Sequence, residues 1–113
     1  MSEDTEALDE ILRNLSIALR ATVESASLIH RDYAAQLLDI TSRYALSAGT
    51  YVRAPKVLVW NVDPTAVRGL TDDVMQFVKN NDWRRALERS HVVMSALPGD
   101  PGGIPIKLPK LPW

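Results

Sequence analysis

The chain has 113 residues, 13 Lys+Arg against 14 Asp+Glu, no Cys, 7 Pro and 46% hydrophobic residues. That length suits one domain with an ordinary core, and the apolar content excludes wholesale disorder. A formal net charge of -1 excludes a general pull on nucleic acid or acidic membranes, and the lack of cysteine excludes a disulfide framework, a thiolate zinc site and a cysteine nucleophile.

The first residues, Met1-Ser2-Glu3-Asp4-Thr5-Glu6, are acidic, whereas a secretory signal begins basic and then runs apolar. No stretch approaches the roughly 18 uninterrupted apolar residues of a spanning helix; Leu15 to Leu28 is interrupted by Arg20 and Glu24. The expectation is a cytoplasmic protein with no membrane span.

From Asp4 to Ser47 there is neither Gly nor Pro. Apolar residues recur there at alternating steps of four and three: Leu8, Leu12, Leu15, Leu19, then Ala26, Ile29, Tyr33, Leu37, Ile40 and Tyr44, with Thr22 as the polar member. Such steps follow one face of a helix of about 3.6 residues per turn, so the spacing predicts a long amphipathic helix over about 4–47. Opposite lie charges of mixed sign, with Asp9–Arg13 and Asp39–Arg43 as acid-before-base pairs at i, i+4. Thr5 or Asp4 can cap the start.

Unbroken, that helix is about 65 Å long, whereas a compact domain of this size is only about 27 Å across. Two outcomes follow. Either the helix breaks at Ser25-Ala26-Ser27, where short polar side chains compete for backbone hydrogen bonds, or another chain covers the overhanging stripe. We read the stripe residues Leu8, Leu12, Leu15, Leu19, Ile29, Tyr33, Leu37, Ile40 and Tyr44 as a subunit interface.

Ala48-Gly49 offers a helix stop, and Pro55 bars helix at Ala54. Residues 56–62, containing Val57-Leu58-Val59-Trp60, read as a short extended segment. A helical hairpin over about 64–97 follows. Asp63-Pro64 opens it with a cap and a first-turn proline, Gly69 with Thr71-Asp72-Asp73 offers a second start, and Asn80-Asn81-Asp82 makes the turn. Trp60 and Trp83 are candidates to join the extended segment to the hairpin, with Val57, Val59, Phe77 and Leu87 as neighbours.

The run Asn81-Asp82-Trp83-Arg84-Arg85-Ala86-Leu87, closed by Leu97-Pro98-Gly99-Asp100-Pro101, resembles the second helix of a tetratricopeptide repeat. The resemblance spans about residues 70–100 and lacks the Trp and Leu-Gly pattern of the repeat's first helix. It implies a local helical hairpin and no peptide-binding groove.

No catalytic constellation emerges, and we read the chain as non-enzymatic, with no cofactor, metal or small-molecule substrate. His30 has no carboxylate at i-3 or i-4, and although Glu88 stands three residues before His91, a helical metal site needs that Glu-x-x-His pattern on two helices with further carboxylates. Arg84, Arg85 and Arg89 make a small basic cluster diluted by Asp82 and Glu88, which reads as a solvated helix face rather than a nucleic-acid site.

Pro98-Gly99-Asp100-Pro101-Gly102-Gly103 is a tether. Beyond it, Ile104, Ile106, Leu108, Leu111 and Trp113 alternate with Pro105, Pro109 and Pro112. Proline bars helix and full strand pairing, yet the segment is too apolar for a solvated tail, so it is an extended arm over 99–113. The arm either packs on its own chain or docks on a neighbour, and we read the second. The sequence therefore describes a mainly α structural or scaffolding subunit. It self-associates through the long helix and reaches a neighbouring subunit with its arm; the alternative is an adaptor binding a different protein through either element.

Overall fold

The computed structural model describes residues 3–53, 60–98 and 106–113. They form four helices: α1 (Glu3–Ser25), α2 (Leu28–Arg53), α3 (Pro64–Lys79) and α4 (Trp83–Ala96), with no strand among the described residues. The molecule is 41 Å in its longest dimension.

The long run predicted over 4–47 is two helices, broken at Ala26-Ser27. The Ala26 amide still reaches back to the Thr22 carbonyl at 2.9 Å, while the Ser27 carbonyl accepts the Arg31 amide at 2.8 Å and opens α2. The Ser27 hydroxyl shares a hydrogen bond of 3.1 Å with His30 Nδ1. That bond joins two side chains, so the start of α2 is marked by the Ser27 carbonyl accepting the first helical amide and not by a side-chain cap.

The other boundaries follow local chemistry. α2 runs through Ala48-Gly49 to Arg53, correcting the stop expected at Gly49. Glycine costs a helix only about 1 kcal/mol, whereas Pro55 denies the residue before it the helical region. α3 begins where expected, with the Asp63 carboxylate accepting the Thr65 amide at 2.9 Å. It is not split at Gly69: the Thr71 hydroxyl, which would have capped a new start, instead donates to the Val67 carbonyl at 2.9 Å. Asn81 takes a φ of 56° in the turn before α4, a left-handed conformation that asparagine tolerates, and Asp82 caps α4 through the Arg85 amide. Most of the extended segment expected over 56–62, including Val57 and Val59, lies outside the described residues; Trp60 is half-buried against the core.

Each hairpin is antiparallel, and the two pack side by side. α1 lies beside α3 in the same direction, with Glu10 paired to Arg68 at 2.9 Å. α2 lies beside α4, also in the same direction, through Thr41 with Met94 and through the Tyr44 hydroxyl, which donates to the Pro98 carbonyl at 2.8 Å. Leu8, Leu12, Leu15, Leu19, Tyr33, Leu37 and Tyr44 are buried in one core with Val67, Val74, Leu87, Val93 and Met94. The stripe read as a subunit surface is thus covered within one chain, because the break folds its two halves onto each other and onto the second hairpin. Ile40 is half-buried, its expected place being taken by Thr41, and Ile29, in the first turn of α2, is 48% exposed. Trp83 is only half-buried and stands outside the core.

The buried polar side chains Thr22, Thr41, Thr71 and Ser90 each donate to the carbonyl four residues back. Their hydroxyls therefore enter the core with a partner, which removes the cost of an unsatisfied donor. The pairs Asp9–Arg13 and Asp39–Arg43 form, but on exposed side chains where such pairs contribute little.

Leu15 and Leu37 are fully buried whereas Leu46 is 80% exposed. Leu15→Ala or Leu37→Ala is expected to cost about 2–5 kcal/mol in urea unfolding. Leu46→Ala is expected to stay within about 0.5 kcal/mol of the parent.

Candidate functional site

α2 and α4 touch far less than the other three neighbouring helix pairs. They meet near Thr41–Met94 and Tyr44–Pro98. Toward His30 and Arg84 the space between them is occupied by the arm. This wedge and its occupant are the candidate site.

Residues 106–113 have no helix or strand and run back along the α2–α4 face. Lys107 and Lys110 are exposed, while Ile106, Leu108, Pro109 and Leu111 are half-buried. Pro112 is exposed as well, so the arm lies on the surface of the wedge with one edge to solvent. Ile106, Leu108, Leu111 and Trp113 pack against the core. Ile104 lies outside the described residues.

Two polar contacts fix the register. The Tyr33 hydroxyl donates to the Pro109 carbonyl at 2.9 Å. At the end of the arm, the Trp113 indole N–H donates to Glu88 Oε1 at 3.2 Å, and the same oxygen accepts from Arg84 Nε at 3.1 Å. Rings complete the seat: His30 stands edge-on to Trp113 at 5.1 Å and Tyr33 at 5.8 Å, while the Arg84 guanidinium lies 5.8 Å from the Trp113 ring centroid. Aromatic pairs favour such edge geometry, and a guanidinium over an indole is attracted by its negative face. Half-burial of a tryptophan removes on the order of 100 Å² of apolar surface, roughly 2–3 kcal/mol at about 25 cal/mol/Å².

Sequence reading placed the arm's apolar residues and Tyr33 among the candidates, but not the groups that receive them. His30 read only as lacking the pattern of a metal site, and Arg84 and Glu88 as part of a solvated face. The pair Arg84–Glu88 at i, i+4 was visible; that its carboxylate meets an indole 25 positions away was not, because no periodicity links the two. The opposite face, between α1 and α3, carries an open groove of about 390 Å³ lined by Ile17, Ala18, Ala21, Met75 and Val78.

No protein-family model, curated protein or solved structure matches this chain. Among the described residues no group of three His, Cys, Asp or Glu side chains is placed to hold a metal ion, and no helix is long and apolar enough to cross a membrane.

Burial raises the Tyr33 hydroxyl above its ordinary value of 10.0, since desolvation disfavours the phenolate. The Tyr33 contribution to stability is therefore fully present below pH 10 and is lost as pH rises through the higher folded-state value. Tyr33→Phe should cost about 0.5–1.5 kcal/mol near neutrality by removing the bond to Pro109. Urea midpoints of parent and variant, followed from neutral to strongly alkaline pH, should converge above pH 10; a constant gap would show that the hydroxyl does not hold the arm.

Proposed function

We propose that this chain is a non-enzymatic, cytoplasmic assembly subunit that joins neighbouring copies by seating its C-terminal arm in their α2–α4 wedges. The observation that carries the reading is the arm itself: a discrete apolar segment, beyond a Gly- and Pro-rich tether, held by side chains of two other elements. Its contacts are the same whichever copy supplies it, so exchange between copies loses none of them. The long helix no longer serves as the subunit surface in this reading, because its stripe is spent on the internal core.

Mass action sets when exchange occurs. A short tether presents the arm to its own wedge at an effective concentration on the order of millimolar. Isolated copies at micromolar concentration therefore keep their own arms, and neighbours compete only when they are comparably crowded, as within an assembly. The exposed Lys107 and Lys110 keep an undocked arm soluble, and Pro109 and Pro112 reduce the entropy it loses on docking.

Light scattering from micromolar to millimolar protein tests this reading. The mass should rise from 12.6 kDa toward that of a dimer at the concentrated end. The rise should disappear when residues 104–113 are deleted, or when Leu111→Ala and Trp113→Ala are combined. A single-chain mass throughout the series would overturn assembly by arm exchange. Binding of a synthetic 104–113 peptide by such a persistently single chain would assign the wedge to a segment of a different protein.

A further inference from the structure

We infer that the seat of Trp113 is an indole-selective pocket, the element by which the wedge recognises a tryptophan side chain on a second copy's arm. The inference rests on the arm-and-wedge reading for its biological occupant, but not for the pocket's chemistry, which is present in a single chain.

The pocket reads an indole by three features. Glu88 Oε1 accepts the indole N–H at 3.2 Å, a contact that phenylalanine cannot make and that tyrosine, with its polar group at the far end of the ring, would place elsewhere. Arg84 fixes that oxygen, donating to it at 3.1 Å, while its guanidinium lies 5.8 Å from the ring centroid. His30 and Tyr33 stand edge-on to the ring at interplanar angles of 64° and 67°. The carboxylate thus faces the positive edge of the indole, and the guanidinium its negative face. Each ion of the Arg84–Glu88 pair contacts the same ring, so a pair that would contribute little on an open surface becomes a recognition element.

Tyr33 and His30 are also positioned by other bonds. Tyr33 donates to the Pro109 carbonyl and His30 is held by Ser27 at the start of α2. The pocket is therefore assembled from three fixed helical turns plus the arm's own backbone.

Free indole is the probe, added at millimolar concentration to the full chain carrying Trp113→Ala, with ring signals of His30 and Tyr33 followed by nuclear magnetic resonance. Indole should shift both signals in the variant and neither in the parent, whose own Trp113 fills the pocket. 1-Methylindole, which lacks the donor, should bind about three- to tenfold more weakly, as loss of one partly solvated charge-assisted hydrogen bond implies. Adding Glu88→Leu to Trp113→Ala should erase that preference. Equal binding of the two probes, or equal shifts in the parent and Trp113→Ala chains, would overturn the inference.

A second measurement avoids dependence on the folding of Trp113→Ala. In the otherwise unaltered chain, Glu88→Leu should speed hydrogen exchange of the Trp113 indole N–H several-fold and leave that of Trp83 unchanged. No change at Trp113 would also overturn the inference. Both experiments run on dilute single chains, so a failure of assembly by exchange leaves their outcome unaffected, and a failure here leaves the light-scattering result to stand alone.

Discussion

A helix cannot bury its own apolar stripe, and a stripe running from Leu8 to Tyr44 along a straight rod would need a second body along its full length. Two residues remove that need. At Ala26-Ser27 the helical hydrogen bonding stops and restarts, with Ser27 supplying the new start, and the two halves fold face to face. What remains uncovered is closed by the α3–α4 hairpin, whose Val67, Val74, Leu87 and Val93 enter the same core. The hydroxyls of Thr22 and Thr41 are tolerated there because each bonds within its own helix.

The remaining geometry follows from how the two hairpins meet. α1 and α3 lie close along their length, whereas α2 and α4 converge at Thr41–Met94 and Tyr44–Pro98 and are bridged elsewhere by the arm. A wedge of this kind exposes apolar surface unless something extended and slender fills it. A proline-rich segment suits the space, since it has no internal hydrogen bonds to satisfy and is already stiff. Stability and recognition are thereby coupled: the segment that completes the core is also the one able to change partners.

The sequence showed the helical class, the hairpin at 64–97 and the apolar arm, because each has a local cause. Four-three spacing marks a helix face, Asp63-Pro64 and Asp82 mark helix starts, and proline with leucine marks an extended apolar segment. The break at Ala26-Ser27 was one of two outcomes left open, since periodicity alone carries across a two-residue interruption. Gly49 looked like a stop but is only a weak one, and α2 runs on to Arg53. The pocket around Trp113 was not legible. It joins the first turn of α2, the first turns of α4 and the end of the arm, and such a junction depends on how two hairpins cross rather than on any run of residues. A stripe long enough to need a partner is, in this chain, long enough to need a turn.

Residues 106–113 occupy the α2–α4 wedge of the chain that carries them when copies are dilute. Nuclear Overhauser contacts from the Trp113 indole protons to the rings of Tyr33 and His30 test it most directly, measured at a concentration where the mass is that of one chain. Both contacts are expected, with the Tyr33 ring also seen from Pro109. Their absence, with a Trp113 indole exchanging as fast as that of free tryptophan, would contradict it.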